Sequence, residues 1–321
     1  MTNMRPSSRV YIAGHRGLVG SAILRNLQSK GYTSCITRTH AQLDLTDPRA
    51  VQGFFEAEKP EYVVLAAAKV GGIAANNTYP ADFILENLKI ETAVIENCFR
   101  YGVKRLLFLG SSCIYPKDCP QPIKESYLLT GPLEPTNRPY ALAKISGVEI
   151  CWSYNRQHGT KYLAAMPTNL YGPGDNFDLN TSHVLPALIR KAVAAKLDGN
   201  FLVWGSGAPL REFLHSDDLA EACVFLLQSE DSIYESLLGE TDPPLINIGS
   251  GEELTIKSLA EMVARVVGYR GDIVFDSSKP DGTHRKLMDV SRIHHLGWHH
   301  KIELEDGIRS VYEQVRQQFE K

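Results

Sequence analysis

Val10-Tyr11-Ile12-Ala13-Gly14-His15-Arg16-Gly17-Leu18-Val19-Gly20 is a short apolar strand that runs into a turn with glycine at every third position, and residues 21–30 continue as a helical stretch. Glycine permits a tight turn and close backbone approach, while the start of a helix offers unpaired N–H groups and a positive dipole end to a pyrophosphate. Strand, glycine turn and helix in that order form the opening unit of a dinucleotide-binding sheet.

Working outward, the alternation continues, with strands over residues 32–37, 62–68 and 105–110 and helices over 47–59 and 81–101. Asp47 is placed as N-cap of the first of these helices, with Pro48 behind it and Val51, Phe54 and Phe55 on one face. Tyr62-Val63-Val64-Leu65-Ala66-Ala67-Ala68 is apolar without interruption, as a strand covered on both faces must be. This rhythm predicts an α/β fold, a Rossmann-type doubly wound parallel sheet.

After Tyr171-Gly172-Pro173-Gly174 the punctuation changes, and helices are predicted over 183–196, 217–228, 255–267 and 306–319. In the last, Ile308, Val311, Tyr312, Val315 and Phe319 form an apolar stripe that reads as core. The expectation is a cofactor domain over residues 1–172, with segments around 212–250 returning to it, and a smaller C-terminal α/β substrate lobe over 173–321.

With 43% hydrophobic and 22% charged residues in 321, the composition is that of a globular protein. A net charge of -3, with no block of basic residues, argues against a nucleic-acid binder, so an anionic ligand has to be met by locally placed Arg and Lys. Cys35, Cys98, Cys113, Cys119, Cys151 and Cys223 show no C-x-x-C pair and read as reduced. Residues 1–9 are polar with no apolar signal core, and no stretch reaches the roughly twenty apolar residues of a membrane span. No membrane contact is expected, and a cytoplasmic location is.

Tyr140 and Lys144 stand four apart, so a helix brings them to one face. An ammonium beside a phenol favours the phenolate, which predicts a Tyr140 drawn down from its ordinary range toward acid-base work near neutrality. By itself the spacing is a weak motif. It gains weight from Gly110-Ser111-Ser112-Cys113-Ile114-Tyr115-Pro116, because ligands in open α/β sheets gather at the carboxyl ends of strands. There Ser111 either shares a substrate carbonyl with Tyr140 or satisfies backbone. After the second strand comes Ile36-Thr37-Arg38-Thr39-His40, with no acid to accept from an adenosine ribose. Arg38 and Arg16 are therefore placed for a 2′-phosphate, favouring NADP over NAD. Asp44 and Leu45 are candidates for the adenine edge, although a loop aspartate is as often a turn residue.

Glycine turn, strand-end Ser and Tyr-x-x-x-Lys together are similar to the signature of the extended short-chain dehydrogenase/reductases, which work on nucleotide sugars. The resemblance sharpens at Ala66-Ala67-Ala68-Lys69-Val70-Gly71-Gly72, Pro167-Thr168-Asn169-Leu170-Tyr171-Gly172-Pro173 and Lys279-Pro280-Asp281-Gly282, blocks that span nearly the whole chain. They resemble the branch that acts as a 3,5-epimerase and 4-reductase on a GDP-linked 4-keto-6-deoxy-hexose with NADPH.

That resemblance implies a catalytic set of Ser111, Cys113, Tyr140, Lys144 and His183. It implies an NADP site built from Gly14, His15, Arg16, Gly17, Leu18, Val19, Gly20, Arg38, His40, Asp44, Leu45, Leu109, Gly110, Ser111, Ser112, Tyr140, Lys144, Pro167, Thr168, Asn169, Leu170 and His183. Contact with the GDP moiety is implied for Lys191, Trp204 and Arg211, with Asp281 near the nucleotide, and a homodimer pairing through residues 81–101 and 140–158. On the residues alone, Cys113 also reads as a buried small hydrophobe, His183 as structural, Lys191 as part of a solvated helix face and Trp204 as core. In chemistry, a thiol and an imidazole suit epimerisation beside a ketone, since both titrate near neutrality when tuned. His40 departs from the pattern, standing where relatives often carry arginine, a better phosphate partner. The alternatives are another nucleotide-sugar 4-epimerase or keto-reductase of this fold, a 4,6-dehydratase, which would need a carboxylate that Ser112-Cys113 does not supply, and a non-catalytic NADP-binding sensor or scaffold.

Overall fold

The structure, a computed structural model, describes residues 4–179, 181–279 and 281–319. Its first sheet holds β1 (Val10–Ala13), β2 (Cys35–Ile36), β3 (Tyr62–Leu65), β4 (Arg105–Leu109) and β5 (Tyr162–Pro167). Three strands of the second lobe follow in the chain, β6 (Asn169–Tyr171), β7 (Phe201–Trp204) and β8 (Leu210–His215), before β9 (Leu245–Ile248) returns to the first sheet. The sheet order is β2-β1-β3-β4-β5-β9, parallel throughout. The chain reverses its direction of travel across the sheet between β1 and β3, which opens a crevice at their carboxyl ends.

The helices of this lobe are α1 (Leu18–Ser29), α2 (Pro48–Glu58), α3 (Ile73–Thr78), α4 (Pro80–Arg100) and α5 (Arg138–His158). After α6 (Val184–Asp198), which belongs to the second lobe, α7 (Ser216–Gln228) and α8 (Asp231–Ser236) complete it. α1 packs on α7 while α2, α4 and α5 pack together, as right-handed crossovers over two faces require. Asp47 caps α2 by accepting from the N–H groups of Arg49 and Ala50, and Lys59 ends it in the left-handed region at φ 43°.

Two strands are shorter than the apolar runs predict. β2 keeps only Cys35–Ile36, an edge strand with β1 as its one neighbour. β3 stops at Leu65, because the three alanines after it turn to wall the glycine turn: the Ala66 N–H donates to Ala13 O at 3.0 Å. A Cβ on Gly14 would lie 2.7 Å from the Ala67 nitrogen. The short α3 was not anticipated.

In the second lobe β8 is parallel to β6 and to β12 (Arg285–Lys286), and antiparallel to β10 (Glu253–Thr255). β7 runs parallel to β11 (Ile273–Asp276). Leu185, Ile189 and Val193 of α6 pack with Leu259 and Val263 of α9 (Ile256–Val267) and with Ile308 and Val311 of the last helix, Leu304–Phe319. The predicted apolar stripe thus forms part of a separate second core.

Candidate active site

At the end of β4 the chain leaves the sheet through Gly110, and Ser111 caps a single 3₁₀ turn, Ser112–Ile114, by accepting from the Cys113 N–H at 3.4 Å. Across from this turn lies α5. Its entry is set by Glu134, which accepts from the N–H groups of Thr136 and Asn137, each at 3.0 Å. Tyr140 in the first turn and Lys144 one turn on then face the strand end. The Ser111 hydroxyl meets both the Cys113 thiol and the Tyr140 phenol, so one serine joins the strand-end turn to the helix.

The charges differ from expectation at Tyr140. Burial holds its phenol well above the usual range, Cys113 and Glu91 push the same way, and only the Ser111 hydrogen bond opposes them. Burial, not the helical neighbour Lys144, sets the direction of that shift. Lys144 is 2% exposed; its ammonium lies 3.2 Å from Glu91 Oε1 on α4 and donates to Leu109 O at 3.0 Å, while the Tyr140 ring centroid is 5.9 Å away. Burial outweighs the neighbouring charges, and Tyr140 stays a phenol. Glu91 went unnoticed in the sequence, although it shares the buried face of α4 with Asn87, Val94 and Cys98 at helical spacing.

Cys113 is buried, and burial raises its thiol; Lys286, Ser111 and Lys144 favour the thiolate in smaller measure. Lys286, on β12, is a second residue the sequence did not reveal. It also acts on His183, whose imidazole is lowered first by the surrounding protein and then by that ammonium. His183 precedes α6 without using its ring to cap the helix, whereas His215 spends Nδ1 on the Asp217 N–H at 3.2 Å. The loop before it is tied to the first lobe by the Gly72 N–H donating to Thr181 O at 3.2 Å. His183 is exposed.

The glycine turn fits a dinucleotide. Gly14 has φ +88°, a Cβ on Gly20 would stand 2.2 Å from Gly14 O, and the Gly17 N–H donates to Gly14 O at 3.0 Å. Such a turn brings backbone N–H groups close to a pyrophosphate at the start of α1. His15 Nδ1 is buried with no hydrogen-bond partner among the described residues, a polar atom left over for a ligand.

The 2′-phosphate expectation is altered. Arg16 is exposed, but the Arg38 guanidinium pairs with Glu58, which also holds Arg9 at 2.7 Å. His40 stands 3.9 Å from Asp44. Asp44 serves its own turn, accepting from the Thr46 N–H at 2.9 Å and hydroxyl at 2.8 Å, and Leu45 is packed into the sheet core.

Trp204 is not a core residue: it is 57% exposed, with Lys191 Nζ 4.7 Å and Lys279 Nζ 5.7 Å from its ring centroid. Burial lowers both Lys191 and, on β8, Arg211, whose partial relief comes from Asp281. Asp281 accepts from the Ser206 N–H at 2.9 Å and hydroxyl at 2.7 Å. Pro280, beside it, lies outside the described residues. Thr168, between β5 and β6, and Asn169, which opens β6, both donate to Glu212 O, at 3.4 and 2.8 Å.

Residues 10–249 match the NAD dependent epimerase/dehydratase family. The chain belongs to that family. It is 57% identical to the putative GDP-L-fucose synthase 2 of Arabidopsis thaliana over 97% of this chain and 92% of that protein. Identity to the GDP-L-fucose synthase of Escherichia coli (strain K12) is 55%, covering 95% of each. Among solved structures, GDP-mannoheptose C4 reductase from Campylobacter jejuni with NADP bound superposes with a TM-score of 0.90 at 43% identity, covering 98% of this chain and 100% of that one.

Proposed function

We propose that this chain is a GDP-L-fucose synthase, an NADPH-dependent enzyme that converts GDP-4-dehydro-6-deoxy-D-mannose to GDP-L-fucose by 3,5-epimerisation and then reduction of the 4-keto group. The observation that carries the reading is Ser111, whose hydroxyl meets the thiol of Cys113 and the phenol of Tyr140 at one strand end. A reductase alone needs the phenol; a thiol beside the same carbonyl site adds a group able to exchange protons on the neighbouring carbons.

Cys113, as thiolate, takes the proton from a carbon next to the carbonyl, and the bonding pair moves toward the oxygen. Tyr140 and Ser111 donate hydrogen bonds to the enolate oxygen so formed. His183, as imidazolium, returns a proton on the opposite face, and passage of the proton from thiol to imidazole resets the pair for the second carbon. Both groups rest uncharged here, the thiol raised and the imidazole lowered. Lys286 favours the thiolate, and the substrate's diphosphate offsets its effect on the imidazolium.

NADPH supplies the hydride that goes to the carbonyl carbon. Tyr140 gives the oxygen its proton, a task for which a phenol held protonated is suited. The glycine turn with Arg16 and Arg38 would hold the dinucleotide phosphates and Lys144 the nicotinamide ribose. Lys191, Trp204 and Arg211 would hold the GDP moiety, with the cations meeting its phosphates and Asp281 bracing the Ser206 turn. Residues 1–172 with the return over 212–250 would carry the cofactor, and the rest of 173–321 the nucleotide sugar.

The enzyme would work in the cytoplasm as a homodimer joined across α4 and α5. Consistent with this, Tyr79 and Leu85 are exposed, and a groove of about 380 Å³ is lined by Pro80, Ala81, Ile84, Pro135, Arg138, Pro139 and Leu142. Among the described residues no helix is long and apolar enough to cross a membrane.

Turnover of GDP-, UDP- and dTDP-linked keto sugars with NADPH in deuterated water tests the assignment. The GDP-linked 4-keto-6-deoxy-hexose should be the preferred substrate and should carry deuterium at both carbons flanking the carbonyl. Reduction with no incorporation would leave a simple 4-keto-reductase. Cys113→Ser should lower incorporation by about a hundredfold or more while NADPH affinity is unchanged.

A further inference from the structure

We propose that Glu91 is a positioning residue of this active site: a dedicated counter-ion, buried in α4, that holds the Lys144 ammonium in place and keeps it charged. The inference rests on the reductase reading above and adds a residue to it.

Glu91 has no exposed surface, and its carboxylate oxygens, with no hydrogen bond among the described residues, face the Lys144 ammonium in an ion pair at 3.2 Å. The space it occupies is made for it. A Cβ on Gly147 would come within 2.4 Å of the Phe108 ring and 3.1 Å of Glu91 Oε2, so a larger residue there would press on the carboxylate. Facing Glu91 from α5 are Lys144, Tyr140 and Cys151, and Cys113 acts on Tyr140 from the strand-end turn. Burial pushes the Glu91 carboxyl up to about 7, with Lys144 opposing.

An ammonium has three protons and no acceptor capacity. Leu109 O takes one at 3.0 Å and the Glu91 carboxylate attracts a second, while the Phe108 ring lies 4.6 Å from the nitrogen. The bond to Leu109 O and the ion pair hold the nitrogen in place, with a proton left for a ribose hydroxyl. A buried charge left without its partner is costly, and it then either loses its proton or turns to whatever acceptor is near. Without Glu91, Lys144 would become easier to deprotonate.

The test uses Glu91→Gln and Glu91→Asp in the full chain. For Glu91→Gln, NADPH should bind about ten- to a hundredfold more weakly by fluorescence titration. The alkaline limb of the pH profile of 4-keto reduction should move down by about one unit or more. Glu91→Asp, which keeps the charge, should restore the position of that limb even if the rate stays low. A Glu91→Gln profile superimposable on the wild type, or identical limbs for Gln and Asp, would overturn the proposal.

Folding is read separately in a double-mutant cycle with Lys144→Met. If the two charges answer to each other, Glu91→Gln/Lys144→Met is more resistant to urea than additivity of the single variants predicts, and it folds even where Glu91→Gln does not. Additive losses, or failure of both to fold, would assign Glu91 to helix packing and overturn the role. Were the wild type to turn over no nucleotide-linked keto sugar, the functional reading would fail, while cofactor titration and the unfolding cycle would still decide on Glu91.

Discussion

The cations expected to serve the cofactor and those expected to serve the nucleotide sugar are held in opposite ways. In the first lobe Lys144 is paired with Glu91 and Arg38 with Glu58, both within the protein. In the second, Lys191 lies over the face of Trp204 and Arg211 donates to its own Leu210 carbonyl at 2.7 Å, with burial lowering both. The first arrangement fixes geometry before a ligand arrives; the second leaves positive charge under-compensated, so that an incoming diphosphate relieves it. A lobe that must aim a hydride donor needs the former. A lobe that must capture an anion needs the latter.

Several substitutions would break or sharpen this contrast. The largest effect is expected at Gly20→Ala, because the added carbon meets backbone at 2.2 Å with no flexible side chain to yield. It should destabilise the fold by about 1–3 kcal/mol in urea titration and weaken NADPH by about a hundredfold in a fluorescence titration. Unchanged cofactor affinity would remove the glycine turn from the site.

A smaller effect is expected at Lys191→Met, which should raise KM for the GDP-linked sugar by about ten- to a hundredfold, the worth of one charge-assisted contact, with kcat little altered. A fall in kcat at constant KM would instead place Lys191 at the reacting carbons.

The smallest is a shift in pH dependence at Lys286→Met. Proton exchange requires thiolate with imidazolium, so its rate should hold a plateau between the lowered His183 value and the raised Cys113 value, falling below the first and above the second. Lys286 favours the thiolate and disfavours the imidazolium, so its removal raises both values. The plateau, followed by deuterium exchange from acid to alkaline pH, should move as a whole to higher pH by about one unit. If one edge alone moves, Lys286 acts on one group and not on both.

Much of the first lobe was legible because its rules are local. Asp47 and Pro48 mark the start of α2, and the uninterrupted apolar run of β4 is a buried strand as the composition suggests. β2 misled because an edge strand with one neighbour keeps fewer paired residues than its apolar run implies, and α3 carried no cap or periodic signal strong enough to expect. In the site, Ser111, Cys113, Tyr140 and Lys144 come together as the motif spacing suggested. The direction in which Tyr140 is shifted did not follow, because a helix places Lys144 near it but cannot show the burial that raises the phenol.

By itself the sequence determined the order of strand, glycine turn and helix, and the helical face shared by Tyr140 and Lys144. Those features depend on sterics and hydrogen bonding over a few residues. Tertiary structure alone decided that Glu91 claims Lys144, that Glu58 claims Arg38 and that Lys286 acts on both Cys113 and His183. The physical reason is that charge interactions and desolvation depend on which groups packing brings within a few ångströms, however far apart they stand in the chain.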